Sequence, residues 1–294
     1  MSLSADSNLV YDSAATRRGW KFRVRNAISY RFLLYNLVIR DLKARYKNSV
    51  LGILWSMLNP LGLMLVFTVL FTVLRGDNAQ RQFPVFVLVG LVPWNFFSGT
   101  IMSGTGSVVV NSPLVKKVYF PRALLPASSV LSNLVNFLIT FLVLVGFLYA
   151  FGLGLTVHAL WVPVILLTQL IFMLGLTLLL SAITVLYRDV MLMLEVVMLA
   201  WFFMTPVFYP FEFFGESSTL WGITFNPAQV MRWVNPMASI IDGYRTVLWG
   251  TQGSAGPVGM NPAFILRTFV TAVIILIIGY TVFSRLEHLF GEKL

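Results

Sequence analysis

Hydrophobic and polar positions divide the chain into long uncharged runs joined by short polar connections. The first run, Val50 to Leu74, holds twenty-five residues without a charge. As a helix it is about 37 Å long at roughly 1.5 Å per residue. That length crosses a hydrocarbon core about 30 Å thick with some tilt. Comparable runs follow at about 83–110, 127–151, 158–186, 191–209 and 263–283. Together they predict an all-α integral membrane fold of six transmembrane helices.

Upstream of the first run, Ile28, Phe32, Tyr35, Ile39, Leu42 and Tyr46 recur at alternating spacings of four and three. That puts them on one face of a helix, with Arg31, Arg40, Lys43, Arg45 and Lys47 on the others. An amphipathic helix over 28–48 lies in a membrane interface, cations toward the headgroups. Residues 1–27 are polar and basic without an apolar core, so they predict a flexible cytoplasmic tail and no cleaved signal peptide. Residues 28–294 then form one transmembrane domain. Between the fifth and sixth runs, 210–262 follows a different pattern. Asn235-Pro236 resembles an N-cap with proline at the first helical position, and apolar residues recur at helical spacing from Met237 to Leu248. A helix of about fourteen residues is too short to span, which favours a re-entrant or interfacial piece. Trp221, Phe225 and Trp233 mark another half-buried piece before it.

Composition strengthens the membrane reading. Hydrophobic residues make up 58% of the chain and charged ones 11%, against about a quarter charged in a soluble domain. A soluble protein is excluded. The net charge of +10 could suggest nucleic acid, but its distribution follows the connections between runs. If the N-terminal segment, 116–122, Arg188 and the C-terminal segment share one side, that side carries 16 of the 21 Lys and Arg residues and is cytoplasmic. Both termini then lie inside. There is no cysteine, and His158 and His288 are far apart without metal-ligand spacing. No metal site and no catalytic residues are expected. No G-x-x-x-x-G-K-[ST] phosphate loop occurs, so ATP hydrolysis, if used, belongs to a partner.

Several polar and aromatic clusters admit two readings each. Ser112-Pro113 can start a short helix that Pro121 ends, or 111–126 is an ordinary basic loop. Tyr187-Arg188-Asp189 is a tight turn, with or without an ion pair. Arg40 and Arg45 either meet anionic headgroups or hold a diphosphate, whose oxygens guanidinium matches bidentately. Trp201, Phe203, Phe208, Tyr209, Phe213 and Phe214 crowd the end of the fifth run. They form an interfacial belt or stack on the C–H faces of sugars. Glu195 pairs within the membrane or serves transport. Asp242 and Arg245, three apart, pair with one another or shape an outer gate.

In order along the chain stand Arg40-Asp-Leu-Lys-x-Arg45-Tyr46, Leu51-Gly52, Trp55, Pro60, Pro113-Leu-Val-x-Lys117-x-x-Phe-Pro121, Tyr187-Arg188-Asp189-Val190 and Asn235-Pro236-Met237. Each motif is weak alone, but the ordered set, from about residue 30 onward, resembles the permease subunit of polysaccharide ABC-2 exporters. These are the O-antigen, capsule, teichoic acid and galactan transporters with the type V ABC exporter fold.

The resemblance implies a homodimer with two cytoplasmic ABC ATPase subunits, which bind the ATP and magnesium, so that this chain is no enzyme and has no cofactor of its own. It implies a bacterial plasma membrane location and a polyprenyl-diphosphate-linked polysaccharide as substrate. Arg40, Lys43, Arg45 and Tyr46 would hold the lipid diphosphate, and Trp201, Phe203, Phe208 and Tyr209 would line the glycan channel. Leu114, Lys116, Lys117, Val118, Tyr119, Arg188 and Asp189 would contact the ATPase. Asp242, Tyr244 and Arg245 would form the outer gate, within re-entrant helices over 215–250. Two alternatives are an ABC-2 subunit for a drug or simple lipid and a membrane-embedded polyprenyl-phosphate glycosyltransferase. The second would be expected to group acids on an inner loop, where Asp189 is the only acid between spans.

Overall fold

The computed structural model describes residues 30–47, 49–52, 54–75, 82–211, 218–220, 223–251 and 254–294. Helix α1 (Arg31–Tyr46) leads into α2 (Leu54–Arg75), α3 (Phe83–Val110), the short α4 (Ser112–Lys117), α5 (Leu124–Ala150), α6 (Val162–Leu186) and α7 (Val190–Met204). After these come α8 (Pro227–Val234), α9 (Pro236–Leu248), α10 (Pro262–Leu286) and α11 (Phe290–Lys293), with 3-10 turns at Val157–Trp161 and Glu287–Leu289. The predicted tail, 1–27, lies outside the described residues.

Among the described residues, five helices are long and apolar enough to cross a membrane: α2, α3, α5, α6 with its preceding turn, and α10. The chain is a multi-pass membrane protein. The fifth predicted span, 191–209, is shorter than its sequence pattern suggests. Its helix α7 has 15 residues, about 22 Å, short of a core about 30 Å thick. It stops because Thr205 is extended (φ −98°, ψ 132°) before Pro206, and the proline ring disfavours a helical residue ahead of it.

The two ends of the bundle differ. At one, Leu37 of α1, Val115 of α4, Phe120, Leu178 of α6, Phe283 of α10 and Phe290 of α11 form a single apolar cluster. The basic connections therefore do share one end, as the charge argument requires. Among the described residues five helices are long enough to cross a membrane, and the 15-residue α7 is followed by a segment to residue 249 that holds two further short helices.

That segment also contains a pair of three-residue strands absent from the sequence reading. β1 (Ser218–Leu220) pairs antiparallel with β2 (Ile223–Phe225), and Ser218 faces Phe225 in register. Part of the 215–250 stretch expected to be helical is therefore strand, consistent with its Thr, Ile and Phe content. Helix α9 then re-enters the protein. Met237, Ile240, Ile241, Tyr244 and Val247 are wholly buried, and the helix packs against α3, α6 and α10. A short helix at this depth is stable because its neighbours are protein, not lipid.

Close approach of α6 and α10 depends on glycine. A Cβ on Gly279 would lie 2.0 Å from the Gly175 carbonyl oxygen, and one on Gly175 would meet the Leu276 backbone at 2.6 Å. Small residues allow such contact in lipid.

Helix α1 is turned differently from its apolar periodicity. Phe32 and Tyr35 are 70% and 63% exposed, whereas Leu37 is 4% exposed. The packed face is Tyr30, Leu33, Leu34 and Leu37, also at helical spacing. The polar groups of α1 explain the choice, because they find partners on α5.

Candidate functional site

Helix α5 carries Ser128, Ser129, Ser132, Asn133, Asn136 and Thr140, all buried, on a stripe at helical spacing. Three of these receive side chains from α1. Ser128 Oγ donates to Asp41 Oδ2 (3.2 Å), Arg45 Nη1 to Asn133 Oδ1 (2.9 Å), and Tyr46 Oη to Asn136 Oδ1 (2.6 Å). Asn133 Nδ2 in turn donates to Ser103 Oγ on α3 (2.9 Å) and to the Ser129 carbonyl (2.7 Å). Arg45 is thereby set by two helices. Arg40 is exposed and ion-paired with its neighbour Asp41 at 2.8 Å, and Lys43 is exposed. Of the four predicted diphosphate residues, Arg40, Lys43 and Arg45 are all exposed, but Arg45 and the half-buried Tyr46 are anchored to α5 at one site and Arg40 and Lys43 are not.

Behind Arg45 and Tyr46 opens a cavity of about 390 Å³ between α2, α3 and α5. Trp55 and Asn59 line it from α2, Asn95 from α3, and Asn133, Asn136 and Thr140 from α5. The α5 stripe was not among the sequence-predicted residues. Its signal was present, since amides and hydroxyls at helical spacing in an otherwise apolar span face protein or water.

The predicted channel aromatics divide. Trp201 is packed inward: its Nε1 donates to Asn235 Oδ1 (2.9 Å) and its ring stands edge-on to Phe97 (centroids 5.0 Å). Phe208 stacks on Phe67 of α2 (4.6 Å, 6°), and Tyr209 Oη donates to the Phe203 carbonyl (2.8 Å). Phe203 is the exposed one of the four. Phe213 and Phe214 lie outside the described residues.

At the basic end, α4 begins at Ser112 with Pro113 in its first turn. Val115 and Phe120 are buried, and Leu114 packs at the edge of the same cluster. Lys116 and Lys117 are exposed, as are Val118 and Tyr119, at 51% and 89%. The backbone N–H of Arg122 donates to Glu287 Oε1 (3.2 Å), and its guanidinium donates to the Glu287 carbonyl, fixing this connection to the C-terminal segment. Arg188 and Asp189 are exposed beside Tyr187 and form no ion pair with each other. Glu195 is also exposed.

At the far end, the predicted gate residues are tied into the fold. Asn235 caps α9, its Oδ1 accepting from the N–H groups of Met237 (3.1 Å) and Ala238 (3.3 Å), and its Nδ2 donates to Thr205 Oγ1 (2.8 Å). Asp242 accepts from Arg232 Nε at 2.9 Å. Arg245 lies over the Phe86 ring (3.8 Å) and donates to the carbonyls of Val207 and Tyr209. Tyr244 is completely buried, its Oη donating to Gln169 Oε1 at 3.2 Å.

The family model described as ABC-2 type transporter matches residues 33–249. The chain belongs to this family. It is 39% identical over 226 residues to the O-antigen export system permease protein RfbA of Myxococcus xanthus, covering 77% of this chain and 84% of the relative. A protein of the same description from Klebsiella pneumoniae is 29% identical over 274 residues, covering 92% of this chain and 99% of the relative. The polysialic acid transport protein KpsM of Escherichia coli is 32% identical over 79 residues, 26% of this chain and 31% of the relative.

Proposed function

We propose that this ABC-2 chain is the membrane subunit of an ATP-driven exporter that moves a polyprenyl-diphosphate-linked polysaccharide outward across a bacterial plasma membrane. Its likeness to O-antigen export permeases, over 77% and 92% of its length, supports the substrate class. The observation that carries the reading is Arg45, held by Asn133 at a cavity that Asn59, Asn95 and Asn136 also line. A guanidinium so oriented meets a diphosphate at the membrane surface, while the lipid tail stays in the bilayer. Tyr46 shares the site, and Arg40 and Lys43 add positive charge near it.

The chain works as a homodimer with two ATPase subunits, which bind ATP and magnesium, and both termini are cytoplasmic. The outward face of α2, with Leu58, Leu65, Val69 and Val73 exposed, gives an apolar surface to a second copy. The exposed residues of 116–119 with Arg188 and Asp189 meet the ATPase, and Phe203 and Tyr209 flank the glycan path. Asp242, Tyr244 and Arg245 hold the outer end shut through the bonds described above.

Export by cells carrying Arg45→Gln tests the reading. Surface polysaccharide should fall at least tenfold while the permease stays at its normal level in the membrane. Normal export from that variant would refute it.

A further inference from the structure

A cavity lined by amides is costly inside a membrane protein. An unpaired amide in an apolar environment forfeits hydrogen bonds that water would have supplied. Here Asn59, Asn95, Asn133 and Asn136 converge from three helices on one space of about 390 Å³. The volume lies in the range of small-molecule sites, about 300–1,000 Å³. Asn136 is 8% exposed, and its Nδ2 finds no acceptor among the described residues; neither does Asn95 Nδ2 across the cavity on α3. Both are buried donors on the cavity wall, and Asn136 is held in place because its Oδ1 already accepts from Tyr46.

The wall chemistry selects the kind of occupant. Arg45 is the one charged side chain among the described residues lining the cavity, and Asn133 already engages it. A diphosphate seated deep inside would therefore meet a single cation. Neutral donors and acceptors on several sides instead match a polyhydroxylated ring. Trp55, 57% exposed and on the α2 wall, offers an apolar ring face to the C–H side of that ring.

We propose that this cavity is a sugar-recognition site: it receives the first sugar of the lipid-linked glycan while Arg45 holds the diphosphate at its mouth. The inference rests on the diphosphate reading of Arg45 given above. It assigns the asparagines a selective role: lipid diphosphates that bear the sugar are admitted in preference to those that do not. Sites built to hydrogen-bond a hydroxyl discriminate strongly against partners lacking it, because their buried polar groups are then left unpaired.

The test is binding to the full-length permease in lipid nanodiscs with two probes, decaprenyl diphosphate bearing one N-acetylhexosamine and decaprenyl diphosphate alone. The unmodified permease should prefer the sugar-bearing lipid by about tenfold or more, the discrimination of one well-made hydrogen bond. Asn95→Ala should abolish that preference and leave the bare lipid's affinity unchanged, whereas Arg45→Gln should weaken both probes together. Asn95→Ala is the deciding variant, because Asn136→Ala would also release Tyr46 from the diphosphate site, whereas among the described residues no side-chain bond of Asn95 is lost. Equal binding of the two probes to the unmodified permease, or equal weakening of both by Asn95→Ala, overturns the sugar site. Unchanged binding of both probes to Arg45→Gln, with the sugar preference intact, would instead remove the diphosphate reading and leave the sugar site standing.

Discussion

Replacing Val118 and Tyr119 together with Asp should detach the ATPase proposed to dock on this permease. Helix α4 buries Val115, and Phe120 anchors the chain again five residues on. The two residues between them that are apolar or aromatic project outward, Tyr119 at 89% exposure and Val118 at 51%. An aromatic side chain buries about 150–250 Å². Truncating a well-packed aromatic anchor at a protein interface costs about 2–4 kcal/mol. That is a loss of about thirtyfold to nearly a thousandfold in affinity. Val118 adds about 1 kcal/mol at half burial, and each Asp places a charge in a desolvated contact, which deepens the loss. The assay is co-purification of the two subunits in mild detergent followed by size exclusion, with the permease peak as its own folding control. Phe120→Asp serves as contrast: it strikes the cluster that joins α1, α4 and α10, and should remove the permease itself. ATPase recovered at unmodified stoichiometry with a monodisperse double variant would refute the docking argument.

Other perturbations probe the fold. Gly279→Ala, whose new methyl would fall on the Gly175 carbonyl, should destabilise the α6–α10 contact by about 1–3 kcal/mol. Gly146→Ala, which meets nothing within 4 Å, should leave the detergent melting temperature in place; equal behaviour of the two would refute the close-packing argument. Asn235→Leu removes a cap and the bonds to Trp201 and Thr205, and should cost at least about 1 kcal/mol by the cap alone. Asn235→Asp keeps the accepting oxygens and should recover much of that loss, and equal melting of the two variants would count against the cap. Phe32→Ser and Tyr35→Ser should leave detergent stability unchanged because both side chains face away from the protein, whereas Leu37→Ser should lower it; the reverse order would put the packed face of α1 elsewhere.

Long uncharged runs were readable because their length is set by the bilayer, an external ruler that the sequence must match. For the same reason α2, α3, α5, α6 and α10 fall within about four residues of their predicted bounds. The fifth run misled because hydropathy continues through Thr205-Pro206, where the backbone does not. Asn235-Pro236 was legible as a helix start, since capping is local chemistry. The packed face of α1 was not: two sets of apolar residues fit a helical period there, and the decision came from Asp41, Arg45 and Tyr46 finding partners 87 to 90 residues away. Of the site, Arg45 and Tyr46 were marked in advance. The asparagines that hold them were not marked, although amides and hydroxyls at helical spacing in an apolar run signal a face turned to protein or water; which helix meets that face is decided only by the fold.

The bonds from Asp41, Arg45 and Tyr46 to one side of α5 also have a mechanical meaning. They lash α1 alongside the first half of a 27-residue rod, about 40 Å from end to end. The base of that rod continues directly from the α4 connection, which Arg122 fastens to the C-terminal segment. A push there tips rod and lashed helix together, and a tilt of about 5° swings the far end of α5 by about 3.5 Å. The same tilt moves Asn133 and Asn136 relative to Asn95 on α3, so the cavity would change its width in step with the lever.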